Sequence, residues 1–168
     1  MISIIIIIIS ILLDGILTNY LPYLVNDLSL FTPLLTLVSI FIICPFFRKS
    51  EKTYYILAFI IGIIYDLLYT NLLFFNGVLF LAIANISKYI YKNYEITSLR
   101  LIVYTIILIT IYESMIGIIL FSFQLVPITF YKVIYKIGHS LLLNIIYAEL
   151  LYLVLNKILK RHKKISIN

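Results

Sequence analysis

Six ionisable side chains lie in apolar surroundings where they must have a purpose: Asp14, Asp66, Glu113, Lys132, Lys136 and His139. Acids and bases so placed do one of two things. They pair and fix how helices pack, or they pass protons or ions along a continuous polar chain. The spacing favours pairing. Lys132, Lys136, His139, Ser140 and Asn144 recur at helical intervals, which gathers them on one stripe. At 1.5 Å per residue, Asp14, Asp66 and Glu113 each fall about 20 Å from the start of their own apolar segment or its basic flank, and Lys136 about 10 Å inside the opposite end of the last segment. All six are therefore expected in one half of a bilayer, as a nearly neutral cluster in which Asp66 faces inward to a cation of the last segment. A relay would need polar groups through the full thickness, and the other half offers little beyond Asn85 and Glu149. Glu149 is expected to meet Lys88, Lys92 or Arg100.

Catalytic signatures are missing. There is no GxxxxGK[ST] phosphate loop, no HExxH and no GxSxG. The single cysteine, Cys44, forms no internal disulfide, and His139 and His162 lie too far apart across a bilayer to share a metal. No enzyme class, cofactor or metal centre is expected.

The elements that position these residues are long and apolar. Of 168 residues, 64% are hydrophobic and 12% charged, about half the charge of an ordinary soluble domain. Hydrocarbon is the solvent that accepts such a chain. The bias toward Ile, Asn, Lys and Tyr, with no Trp, reads as AT-rich codon usage, so the polar exceptions carry the information. Six segments, 2–21, 30–47, 54–69, 74–91, 99–123 and 130–158, are each long enough or nearly so to span a membrane as helices. They predict an all-α integral membrane protein, a six-helix bundle forming one domain over 1–168, with a basic tail at 159–168. The start MISIIIIIISILLDG lacks the basic region and small-residue cleavage site of a signal peptide and is expected to stay attached. Pro33 is expected in the first turn of the second helix, and Pro45 should end or bend it.

Lysine and arginine alternate between connections. Arg48, Lys49 and Lys52 follow segment two, Lys88, Lys92 and Arg100 flank the connection after segment four, and Lys157, Lys160, Arg161, Lys163 and Lys164 crowd the end. The intervening connections carry none before Lys132. Basic loops stay in the cytoplasm, so both termini are expected there. The net charge of +6 is then a topology signal and an attraction to anionic lipid headgroups. A nucleic-acid partner is not expected.

The stretch AFIIGIIYDLLYTNLLFFNGVLFLAIANI joins a glycine to an aspartate one turn later, then a short polar turn and an asparagine-containing start to the next span. It resembles the signature of the MreD family of rod shape-determining membrane proteins. The matching positions are Gly62, Asp66, Thr70, Asn71, Asn76 and Gly77. FTPLLTLVSIFIICPFF is similar to the family's second span, and LLDGILTNYLP, with Asp14 at the acidic position, to the first. Phe74-Phe75-Asn76-Gly77 departs from the commoner Leu-Gly or Leu-Asn step. Glu113, Lys136 and His139 match no family motif.

The resemblance implies a noncatalytic subunit of the machinery that elongates the lateral wall, in the bacterial plasma membrane. Its expected partner is MreC, and through it the filament protein MreB, a wall glycosyltransferase and a penicillin-binding transpeptidase. It also implies a fold like that of the substrate-binding subunits of energy-coupling-factor vitamin transporters. Those subunits are the rival reading, in which the polar cluster would be a solute pocket. Against it, the first segment has no alanine for the Ala-x-x-x-Ala face with which they dock their motor.

Overall fold

The computed structural model describes residues 2–24, 32–47, 50–69, 74–122 and 130–165. Six α-helices follow in order: α1 Ile2–Leu24, α2 Leu35–Ile43, α3 Glu51–Tyr69, α4 Phe75–Asn93, α5 Ser98–Ser122 and α6 Phe130–Ile165. There is no strand among the described residues. Isoleucine and valine are mediocre helix formers in water. In hydrocarbon a helix satisfies every backbone group within one segment, and that constraint outweighs propensity. Four helices contain stretches long and apolar enough to cross a membrane: Ile2–Tyr20, Glu51–Tyr69, Ser98–Ile119 and Val133–Lys157. The exposed outer faces agree, with Ile5, Ile8, Leu12 and Ile16 turned outward on α1 and Leu142, Ile146 and Leu150 on α6.

Helix α2 stands apart. It has nine residues, all of them buried, and is apolar all round, as a helix enclosed on every side should be. It packs against α1, α4 and α6. Phe41, fully buried, meets the rings of Tyr91 on α4 and Tyr104 on α5 at 5.3 and 6.3 Å. The helix ends in a 3-10 turn, Cys44–Phe47, where Pro45 removes a backbone donor. Its start differs from expectation. Residues 32–34 are not helical and Pro33 lies two positions before the first helical residue, with Leu34 at φ −125°. The helix begins late because side chains of α1 and α6 take over the amides at its start, as described below.

Other boundaries shift as well. Helix α3 starts three residues earlier than expected and α4 runs two further. Helix α6 extends to Ile165, so most of the basic tail continues the helix. Two antiparallel hairpins are plain from their contacts. In the α3–α4 pair, Glu51 forms an ion pair with Lys88 at one end and the Tyr55 hydroxyl donates to Asn85 at 3.2 Å. In the α5–α6 pair, the Ser98 hydroxyl reaches both Glu149 oxygens at 2.7 Å. Glu149 thus meets a hydroxyl at the start of α5, correcting the expected lysine or arginine partner, because Lys88 is engaged by Glu51 across its own hairpin.

Candidate functional site

Asp14 lies on α1, buried, beside the start of α2. A helix start leaves four N–H groups without partners inside the helix. One Asp14 oxygen accepts from the Leu35 amide at 2.8 Å. The other accepts from the Thr36 amide at 2.9 Å and the Thr36 hydroxyl at 2.6 Å. Asn144 of α6 completes the cap: its carbonyl oxygen accepts from the Leu34 amide at 2.8 Å, while its amide nitrogen donates to the Ser140 and Thr32 carbonyls. A carboxylate at this end also opposes the positive pole of the helix. Deeper in the bundle, the hydroxyls of Ser10, Ser39 and Tyr147 lie 2.6 to 2.9 Å apart and link the same three helices again. Tyr69 adds α3, donating to the Ile11 carbonyl at 2.6 Å over Gly15.

Asp66 does the same for α4. Its two oxygens accept from the Asn76 amide at 2.9 Å and the Asn76 side-chain nitrogen at 2.7 Å. The Asn76 carbonyl oxygen in turn accepts from the Tyr112 hydroxyl of α5 at 2.7 Å. Gly62 makes the approach possible. A Cβ there would sit 2.5 Å from the Gly77 Cα, so any side chain would push the hairpin apart. Gly77 meets Phe59 and Ile63 from the other side. The turn into α4 places Phe74 at φ 68°, a left-handed conformation that costs a non-glycine residue about 1 to 2 kcal/mol. Thr70 and Asn71 lie outside the described residues.

Glu113 and Lys136 form the third element. Glu113, buried on α5, meets the Lys136 ammonium at 3.0 Å. Lys136 is therefore engaged by Glu113, where an Asp66 partner was expected, because Asp66 turns toward the start of α4. The second oxygen of Glu113 has no hydrogen-bond partner among the described residues. His139 is half-buried, with Nδ1 3.0 Å from the Tyr135 carbonyl and its ring 4.0 Å from that of Tyr135. The side chain of Lys132 lies outside the described residues.

Asp14 and Asp66 therefore accept backbone hydrogen bonds, and Glu113 neutralises a lysine. Clefts of about 430 and 420 Å³ open elsewhere, toward the end of the bundle where α4 finishes, around Pro45, Tyr91 and Lys92. No group of three potential metal ligands occurs among the described residues. Sequence reasoning picked out both aspartates but missed Thr36, which donates to Asp14, Tyr112, which donates to the asparagine that Asp66 holds, and the hydroxyl cluster of Ser10, Ser39 and Tyr147. Short hydroxyl side chains in apolar helices were the available signal.

Neither a curated protein nor a solved structure matches this chain. The family model described as rod shape-determining protein MreD matches residues 1–162, and the chain belongs to the MreD family of rod shape-determining membrane proteins.

Proposed function

We propose that this chain is a noncatalytic subunit of the complex that builds the lateral cell wall, and that it holds the single spanning helix of MreC against its bundle. In this reading it crosses the bacterial plasma membrane six times as one domain, α2 and α4 included, with both termini in the cytoplasm. MreB, a wall glycosyltransferase and a penicillin-binding transpeptidase join through MreC. The family match supports the shape-determining role, and the alternation of basic connections supports the orientation.

One observation favours a scaffold over a solute-binding subunit. The intramembrane aspartates are used up as helix caps: Asp14 accepts from the starts of α2 and Asp66 from the start of α4. A solute pocket needs a few convergent polar groups left open to the ligand. Here such groups brace helices that are too short or too polar to stand alone.

The test is to crosslink cells gently, purify the tagged chain and identify its companions, for wild type and Asp66→Asn. A bitopic protein with an extracytoplasmic coiled coil, together with wall polymerases, is the expected result, with reduced recovery from the variant. Paired ATPases with a membrane coupling subunit would instead identify a vitamin-transporter component.

A further inference from the structure

The apolar spans fix the depth of the larger cleft. The span on α5 begins at Ser98 and that on α6 ends at Lys157. The cleft is lined by residues 91–96, just before the first, and by Tyr152, Leu155 and Asn156, just inside the end of the second. It therefore lies where hydrocarbon gives way to headgroups. Tyrosine favours that level, and Tyr91, Tyr94 and Tyr152 surround the opening. Ile42, Phe46 and Leu155 give it apolar walls, and its volume of about 430 Å³ is that of a small-ligand site.

Two opposite charges on its rim stay apart. Lys92 and Glu95 are exposed, line the same cleft and form no ion pair among the described residues. Three positions apart, they would be neighbours on a continuous helix. Helix α4 stops at Asn93, and Tyr94 is extended at φ −134° and ψ 139°, which breaks that register. The connection is then fixed at successive residues. The Tyr94 amide donates to the Ile90 carbonyl at 2.9 Å, the Arg100 guanidinium to the Glu95 carbonyl at 2.9 Å and the Tyr152 hydroxyl to the Ile96 carbonyl at 2.8 Å. Arg100 thus holds the main chain of Glu95 and leaves its carboxylate open. In the adjoining cleft Lys88 and Glu51 pair with each other, which leaves Lys92, shared by both clefts, as its unpaired charge.

We propose that this cleft holds the headgroup of one aminophospholipid, its phosphate against Lys92 and the Asn156 amide and its ammonium against Glu95. A zwitterion answers both poles of the rim. A simple anion would meet Lys92 but set a second negative charge beside Glu95 with nothing to offset it. The membrane is the source, because Leu153 and Val154 on the same stretch of α6 are exposed apolar residues against which acyl chains lie. Pockets between spanning helices with basic residues at this depth are where lipid headgroups bind. The site depends on neither the MreC reading nor the orientation, since both leaflets present headgroups. Lys157, exposed and next to Asn156, lies outside the lining and serves as a control.

The experiment titrates the full chain in mild detergent with phosphatidylethanolamine, phosphatidylcholine or phosphatidylglycerol and follows bound lipid by native mass spectrometry. The expected result is a single phosphatidylethanolamine held about tenfold tighter than either of the others, since choline has no N–H for the carboxylate and glycerol has no charge. Lys92→Gln should weaken it about tenfold. Glu95→Gln should do the same yet tighten phosphatidylglycerol, a reversal of preference that general loss of structure would not produce. Lys157→Gln should change binding less than about twofold, and all three variants should keep wild-type thermal stability. Phosphatidylglycerol binding to the wild type as tightly as phosphatidylethanolamine would overturn the proposal, as would phosphatidylethanolamine binding indifferent to Glu95→Gln. Retention of lipid without preference would also overturn it. Glycerophosphoethanolamine, the soluble headgroup, binding as tightly as the lipid would overturn the membrane source.

Discussion

The starts of α2 and α4 use the same chemistry over very different reaches. At each, an aspartate from the preceding helix accepts the amides that the first turn cannot satisfy internally. At α4 acceptor and donor are ten residues apart within one hairpin, and the network extends one step to Tyr112. At α2 the acceptors lie 21, 22 and 110 residues away, on α1 and α6. The capped helix is buried along its whole length. The cap at α4 therefore shapes one turn, whereas the cap at α2 decides where the central helix stands among its neighbours. Asp66 carries the recognisable motif, but Asp14 carries more of the tertiary structure.

Asp14→Ala is the variant with the largest expected effect. It leaves the amides of Leu35 and Thr36 and the Thr36 hydroxyl without their acceptor inside the bundle. At about 1 to 3 kcal/mol for each buried unsatisfied donor, partly relaxed, the loss should be about 4 kcal/mol. Unfolding in mixed micelles would measure it, and hydrogen exchange should show α2 opening together with its contacts to α1 and α6. An equal or larger loss from Asp66→Ala would reverse the comparison.

Asp66→Ala should cost about 2 to 3 kcal/mol, from the two Asn76 donors left without their acceptor. Its exchange signature should stay within the end of α3 and the first turns of α4. Gly62→Ala tests the same hairpin by steric means. With the new methyl driven onto the Gly77 backbone, a loss of about 2 kcal/mol is expected, and a double variant with Asp66→Ala should lose less than the sum.

The Glu113–Lys136 pair belongs to neither cap and should behave differently. Lys136→Met leaves a buried carboxylate unpaired and should cost about 2 kcal/mol, while adding Glu113→Gln should recover most of it. If the double variant were as unstable as the single, Lys136 would contribute through packing of its stem.

Much of this arrangement was legible in the sequence. The apolar runs locate the helices because hydrocarbon permits little else, and burial of Asp14, Asp66 and Glu113 follows from the cost of exposing them to lipid. Their partners were not legible. Opposite charge is what a sequence displays, so Asp66 was matched to a cation. Yet the strongest unmet need at its level is the row of amides at the start of α4, and amides are the same in every sequence. The late start of α2 was hidden for the same reason: Pro33 signals a helix start, but only the positions of Asp14 and Asn144 in space decide which amide is capped first. Phe74 shows the limit from another side. Its left-handed backbone would be read as glycine by any local rule, and the hairpin closed by Asp66 and Gly62 holds it there.

Tyr112→Phe has the smallest expected effect and sharpens the comparison most. The hydroxyl donates to the Asn76 oxygen at 2.7 Å and leaves the ring, 6.3 Å from that of Phe80, in place. Losing one hydrogen bond of this kind should cost about 1 kcal/mol. If the two caps are separate units, Tyr112→Phe should be additive with Asp14→Asn to within about 0.5 kcal/mol and clearly non-additive with Asp66→Asn, which disturbs the same asparagine. Coupling to both aspartates would mean that the starts of α2 and α4 are one network. A change at either would then reach the whole polar half of the bundle, and the local character assigned to Asp66 would be lost.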